Sequence, residues 1–142
     1  MRNAGHLLQG KGPGIYHVAP DDSVLDAIRE MAQRGIGAVL VMDGDALVGI
    51  ISERDYARNV ILKDRSSKTT KVAEIMSSPV ITVQPVTTLD QCMRTITDNR
   101  VRHLPVVEDG IVVGVLSIGD LVKAVIDSQA REIEQLQNYI AG

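Results

Sequence analysis

The feature that most constrains this chain is an internal repeat. The stretches "GIISERDY" (Gly49 to Tyr56) and "GVLSIGDL" (Gly114 to Leu121) lie 65 residues apart. Each runs glycine, two apolar residues, serine, two free positions, aspartate. Shifting the whole sequence by 65 keeps one register. Val18-Ala19-Pro20 falls on Val83-Gln84-Pro85, Ser23 on Thr88, Arg29 on Arg94, Val41 on Val106, and Val60-Ile61 on Val125-Ile126. Fixed-period similarity of this kind marks two copies of one structural unit.

Each copy has the same plan. A short strand ("GIYHV" or "PVITV") leads through Pro20 or Pro85 into a helix capped by Ser23 or Thr88, both good N-cap types. Val24, Ala27, Ile28 and Met31 share one face of the first helix, as Leu89, Cys92, Met93 and Ile96 do in the second. Two apolar runs follow, split by Asp43-Gly44-Asp45 or Glu108-Asp109-Gly110, a hairpin signal. A last helix starts at Ser52 or Ser117. The unit reads β-α-β-β-α and the fold class α+β. A single copy leaves one sheet face bare, so the two pseudo-symmetric repeats are expected to pack sheet to sheet. The expected domains are 1–68 (first repeat with N-terminal segment and linker), 69–126 (second repeat) and 127–142 (a C-terminal amphipathic helix). That tail spaces Ala130, Ile133, Leu136 and Ile140 as packing or dimer surface.

Composition narrows the function classes. The chain has 142 residues, 44% apolar, with no Trp or Phe, so aliphatic residues must fill the core. A net charge of −3 offers no basic face for nucleic acid. One cysteine, Cys92, excludes an internal disulfide and fits a reduced, cytoplasmic setting, and it falls on the apolar helix face. No apolar run is long enough to span a membrane, and the start lacks a secretory leader pattern. His6, His17 and His103 lack metal-ligand spacing. Lys63, Arg65, Lys68 and Lys71 read as a solvated linker.

The serine and aspartate admit two readings. Ser-x-x-Asp at a helix start resembles a capping box. An aspartate there, beside a hydroxyl, also accepts hydrogen bonds from a ribose cis-diol, with phosphate then needing cationic or N–H donors nearby. The second copy supplies "VRHLP", whose Arg102 and His103 enter the strand beside the helix start, where the first copy has Gly37-Ala38. The scaffolds match, while the groups able to read a ligand do not.

From Ile15 to Ile126 the chain resembles a pair of cystathionine-β-synthase-type (CBS) domains, a Bateman module. The resemblance rests on the repeated G-h-h-S-x-x-D endings and on "RVRHLPVV". Stand-alone two-repeat members are most similar. It implies binding of adenine nucleotides (AMP, ATP, S-adenosylmethionine or NAD(H)) in two clefts between the repeats. It implies ribose-binding roles for Asp120 with Ser117 and for Asp55 with Ser52, and phosphate contacts from Arg102 and His103. Tyr16, Ile36 and Gly37 would line the base pocket of the Asp120 cleft, and Ile81, Val101 and Arg102 would border the Asp55 cleft. Arg54 and Arg58 would compensate for the missing basic pair in the first copy. The resemblance further implies a homodimer, shaped as a flat disc, that reports ligand to an unidentified regulated protein. No phosphate-binding glycine loop, nucleophile elbow or Cys/His dyad signature supports an enzyme. The expected function is therefore a regulatory sensor without catalysis. The alternatives are a ligand-free interaction protein and a small nucleotide-processing enzyme.

Overall fold

The computed structural model describes residues 2–11 and 14–141. Helix α1 (Ala4–Lys11) opens the chain. The first copy follows as β1 (His17–Val18), α2 (Val24–Arg34), β2 (Ala38–Asp43), β3 (Ala46–Ser52) and α3 (Glu53–Asn59). A 3-10 turn at Ile61–Lys63 and the short helix α4 (Val72–Ile75) lead to the second copy. That copy contains α5 (Leu89–Asn99), β4 (His103–Glu108), β5 (Ile111–Ser117) and α6 (Ile118–Ala141). The protein is α+β, with one small sheet in each copy.

The caps form as the residue types predict. The Ser23 and Thr88 side chains accept from the third helical N–H of α2 and α5. Both helices end on a left-handed residue, Gly35 in the first copy and Arg100 in the second. The hairpins also match. β2 pairs with β3, and β4 with β5, antiparallel, each with a register shift at the same place, Val41/Met42 and Val106/Val107. In the second hairpin Asp109 and Gly110 both have positive φ, the type I′ requirement that an Asp-Gly pair meets. The opening strands are shorter than their apolar runs. β1 holds two residues parallel to β2, and the second copy keeps only a bridge between Val83 and Val106. Leu40 donates its N–H to the Tyr16 carbonyl (3.1 Å), and Pro105, which stands at the equivalent place in β4, has no N–H to donate to Ile81.

The chain divides into two compact units whose boundaries differ from 1–68, 69–126 and 127–142. One unit is Gly14–Val80, and the other joins the N-terminal residues to everything from Ile81 onward. The linker helix α4 thus belongs with the first copy and α1 with the second. Ala4 and Leu7 sit in one core with Cys92, Ile96, Leu104, Leu116 and Leu121, and Val72 and Ile75 in the other with Val24, Met31, Val41 and Ile51. Each fully buried Leu or Ile of these clusters contributes about 1.5–3 kcal/mol.

The reason for this grouping lies at two glycines. A Cβ on Gly114 would stand 2.5 Å from Leu8 of α1, and one on Gly49 would collide with the sulfur of Met76 after α4. The glycine that precedes each "h-h-S" run lets an incoming segment lie against the sheet. The tail is not a separate element: α6 runs unbroken for 24 residues, with Ile133, Leu136, Tyr139 and Ile140 exposed. The linker cations are partly paired, Arg65 with Glu74 and Lys71 with Asp21.

Candidate functional site

In both copies the repeated serine ends a strand and caps the following helix. In the first, the Asp55 N–H donates to the Ser52 hydroxyl (3.1 Å), and the Ser52 N–H donates back to Asp55 Oδ2 (2.9 Å). In the second, the Asp120 N–H donates to Ser117 Oγ (3.2 Å), and the Ser117 N–H donates to Asp120 Oδ2 (2.8 Å). Both are complete capping boxes, with Asp in place of the commoner Glu. The cap occupies Oδ2 alone. An ionised carboxylate has about four acceptor positions, so capping leaves capacity for a ligand.

The neighbouring strand also lies as expected. His103 pairs with Ser117, and the Ile118 N–H donates to the Arg102 carbonyl (2.8 Å). Ala38 pairs with Ser52, and the Glu53 N–H donates to the Gly37 carbonyl (3.0 Å). Arg102 is exposed and His103 half-buried beside the start of α6. Burial holds the His103 imidazole below its ordinary value, and the Lys11 and Arg102 cations add to this against the opposing pull of Asp120. His103 is therefore a neutral hydrogen-bonding group near pH 7.

Each carboxylate takes one further donor, and here the copies part. Asp55 Oδ1 accepts from the Ser77 hydroxyl (3.2 Å), while the Ser77 N–H donates to the Ile50 carbonyl (2.8 Å). Asp120 Oδ2 accepts from the Lys11 ammonium (2.8 Å), which also donates to the Val115 carbonyl (2.8 Å). Ile50 and Val115 are equivalent positions of the repeat. One serine and one lysine thus serve the same pair of acceptors. Among the described residues Asp120 Oδ1 has no protein donor. Burial pushes the Asp120 carboxyl up, but hydrogen bonds from Lys11 and Ser117 and the lysine's charge outweigh it and hold the group below its ordinary value.

The remaining expected residues divide between the units. Tyr16, Ile36, Gly37, Arg54 and Arg58 belong to the Gly14–Val80 unit, and Ile81 and Val101 to the other. Tyr16 and Ile36 pack partly against the first core, Ile81 and Val101 against the second. The Arg34 guanidinium lies 4.6 Å from the Tyr16 ring centroid, so one face of this ring is covered by a cation. Arg54 and Arg58 are exposed on α3. Sequence reasoning missed Lys11 and Ser77. The available signal was the helical spacing of Ala4, Leu7, Leu8 and Lys11, one face of a helix that has to bury itself somewhere. Among the described residues no cluster has metal-binding composition, and no helix is long and apolar enough to cross a membrane.

Known proteins resemble this chain in sequence and fold. The family model described as CBS domain matches residues 13–61 and 72–127. The CBS domain-containing protein CBSX3, mitochondrial, of Arabidopsis thaliana is 46% identical over 127 residues, 86% of this chain. The chain spans 62% of that relative's length. A solved structure described as a putative signal-transduction protein with CBS domains, from Burkholderia ambifaria, is 50% identical with a TM-score of 0.85. The match covers 89% of this chain and 96% of that one. A CBS domain protein from Pyrobaculum aerophilum, solved in complex with AMP, shares the fold at 24% identity and a TM-score of 0.75, over 83% of this chain and 88% of its own.

Proposed function

This chain belongs to the CBS domain family, as a tandem pair, and from that premise we propose that it is a nucleotide-responsive regulatory module that binds an adenine nucleotide and performs no catalysis. The observation that carries the reading is the Asp120 carboxylate. It caps α6 with one oxygen and keeps the other for an incoming donor, beside Arg102 and a neutral His103. A ribose diol suits the carboxylate, and a phosphate suits the guanidinium fork. The AMP held by the Pyrobaculum relative supports AMP as the first ligand to test. NAD(H) and ATP present the same ribose phosphate and are the next.

In this reading Asp120 with Ser117, and Asp55 with Ser52, receive ribose. Arg102 and His103 receive phosphate. Tyr16, Ile36 and Gly37, and correspondingly Ile81 and Val101, line base pockets, with Arg54 and Arg58 supplying charge near Asp55. Ligand acts by population shift, limited to its differential affinity for two arrangements of the protein, and a homodimer passes the shift to a regulated protein. We place the module in a reducing compartment, the cytoplasm by default. The name of the Arabidopsis relative adds mitochondria as a second setting.

The test is calorimetric titration with AMP and NAD of wild type, Asp55→Ala, Asp120→Ala and the double variant, with folding checked by circular dichroism. Loss of a hydrogen bond to a charged group costs about 1.5–3 kcal/mol, roughly ten- to a hundredfold in affinity. A folded double variant that binds as tightly as wild type leaves the two aspartates as helix caps alone.

A further inference from the structure

We propose that Lys11 makes the Asp120 site selective for phosphorylated ligands by exchanging partners. In the free protein its ammonium occupies Asp120; in the complex it leaves the carboxylate to the diol and turns to the phosphate. The inference rests on the nucleotide reading above and adds a residue to it.

Three observations carry it. First, Lys11 Nζ stands 2.8 Å from Asp120 Oδ2 and 2.8 Å from the Val115 carbonyl. It therefore lies against the carboxylate that a diol has to reach. Second, its position is held by a seated helix. Ala4 and Leu7 of α1 are buried, and Leu8 lies against Gly114, so the last turn of α1 delivers the lysine to the sheet edge. Third, the ion pair is replaceable. The lysine side chain is 40% exposed and the aspartate 29%. An exposed pair of this kind contributes little to stability, and a lysine is a point charge on a flexible four-carbon stem.

The consequence is a two-sided selection. A diol that takes both carboxylate oxygens must displace the ammonium from Oδ2, and a nucleoside offers that ammonium nothing in return. A nucleotide displaces it and supplies a doubly charged acceptor, with Arg102 as second cation. One residue both opposes the wrong ligand and attracts the right one. The first copy has a neutral hydroxyl, Ser77, at the equivalent place, so the selection belongs to the Asp120 site alone.

The experiment compares AMP and adenosine by calorimetry at fixed ionic strength, in full-length chains carrying Asp55→Ala so that the Asp120 site is read alone. Lys11→Met is expected to weaken AMP about tenfold, the loss of one charge-assisted contact, and to leave adenosine unchanged or severalfold tighter. Lys11→Arg keeps the charge and is expected to keep most of the preference for AMP. Equal weakening of both ligands by Lys11→Met makes the lysine a structural strut and overturns the exchange. Failure of the unsubstituted chain to bind AMP overturns the nucleotide reading itself, and the exchange with it.

Discussion

Asp55 and Asp120 close the same capping box at the start of the same helix, yet one carboxylate is met by a serine hydroxyl and the other by a lysine ammonium. With Arg102 nearby, the second site carries a cationic excess around its aspartate. The first faces Gly37 and Ala38 on the adjoining strand. Duplication has kept every backbone device: caps, hairpin register, bulge and the small residue under the incoming segment. Part of what differs lies within the repeats, Arg102-His103 against Gly37-Ala38, and part arrives with the segments that precede each repeat, each of which packs on the copy that it does not directly precede along the chain: α1 on the second, α4 on the first. The frame is common, and the chemistry is set by a strand entrance and by the visiting segments together.

The largest test of that difference is Arg102→Ala. We expect AMP affinity at the Asp120 site to fall by roughly ten- to a hundredfold, with adenosine little changed. Calorimetry that finds both ligands equally affected, or two identical sites in wild type, removes the asymmetry.

The two glycines compare next. Gly114→Ala pushes a methyl into the branched Leu8, and Gly49→Ala into the unbranched Met76. Overpacking costs about 1–3 kcal/mol, and methionine adapts more easily than leucine. Thermal melts should therefore show the larger loss for Gly114→Ala and its partial recovery on adding Leu8→Ala. A neutral Gly114→Ala shows that α1 is not seated by that glycine.

A smaller, pH-dependent difference belongs to His103, which has only Ala38 opposite it in the repeat. Its folded pKa lies below the ordinary 6.5, so on acidification the unfolded chain takes up the proton first. Stability is then complete above about pH 6.5 and declines below it, towards the folded value. Asp120, also lowered, adds its own loss below its ordinary 3.8, as pH falls through its folded value. His103→Gln should flatten the first decline and leave the second. An unchanged profile assigns the decline to other groups.

The smallest effect is at the ends of α2 and α5. Arg100 holds φ 54° where its equivalent, Gly35, holds φ 65°. A side chain in this conformation costs about 1–2 kcal/mol, partly offset by the greater freedom of glycine in the unfolded chain. Arg100→Gly should stabilise by about 0.5–1 kcal/mol and Gly35→Ala destabilise by a similar amount. Denaturant titration reads both, and a destabilised Arg100→Gly shows that the arginine side chain holds a contact worth more than the strain.

Much of this frame was legible in the sequence, because caps, turns and helix faces are local chemistry. Ser23 and Thr88 announce their helices, and Asp109-Gly110 its hairpin. Ser52 and Ser117 placed both aspartates. The opening strands were overread because an apolar run does not reveal how many of its N–H groups find partners. The grouping of α1 with the second copy and of α4 with the first was hidden for a related reason. Nothing near Leu8 names Gly114, and nothing near Lys11 names Asp120. Such pairings depend on steric fit between residues more than a hundred positions apart.

The placement of α1 also bears on how the chain is made. Every contact internal to the Gly14–Val80 unit lies within one continuous stretch, which is complete before residues 81–142 are made. The other unit cannot close until both of its separated parts have been synthesised. Closing the 109-residue separation of Lys11 and Asp120 costs about 1.4 kcal/mol more loop entropy than the 22-residue separation of Ser77 and Asp55. Folding order is thereby built into the connectivity, with the first copy early and α1 docking onto the second copy late.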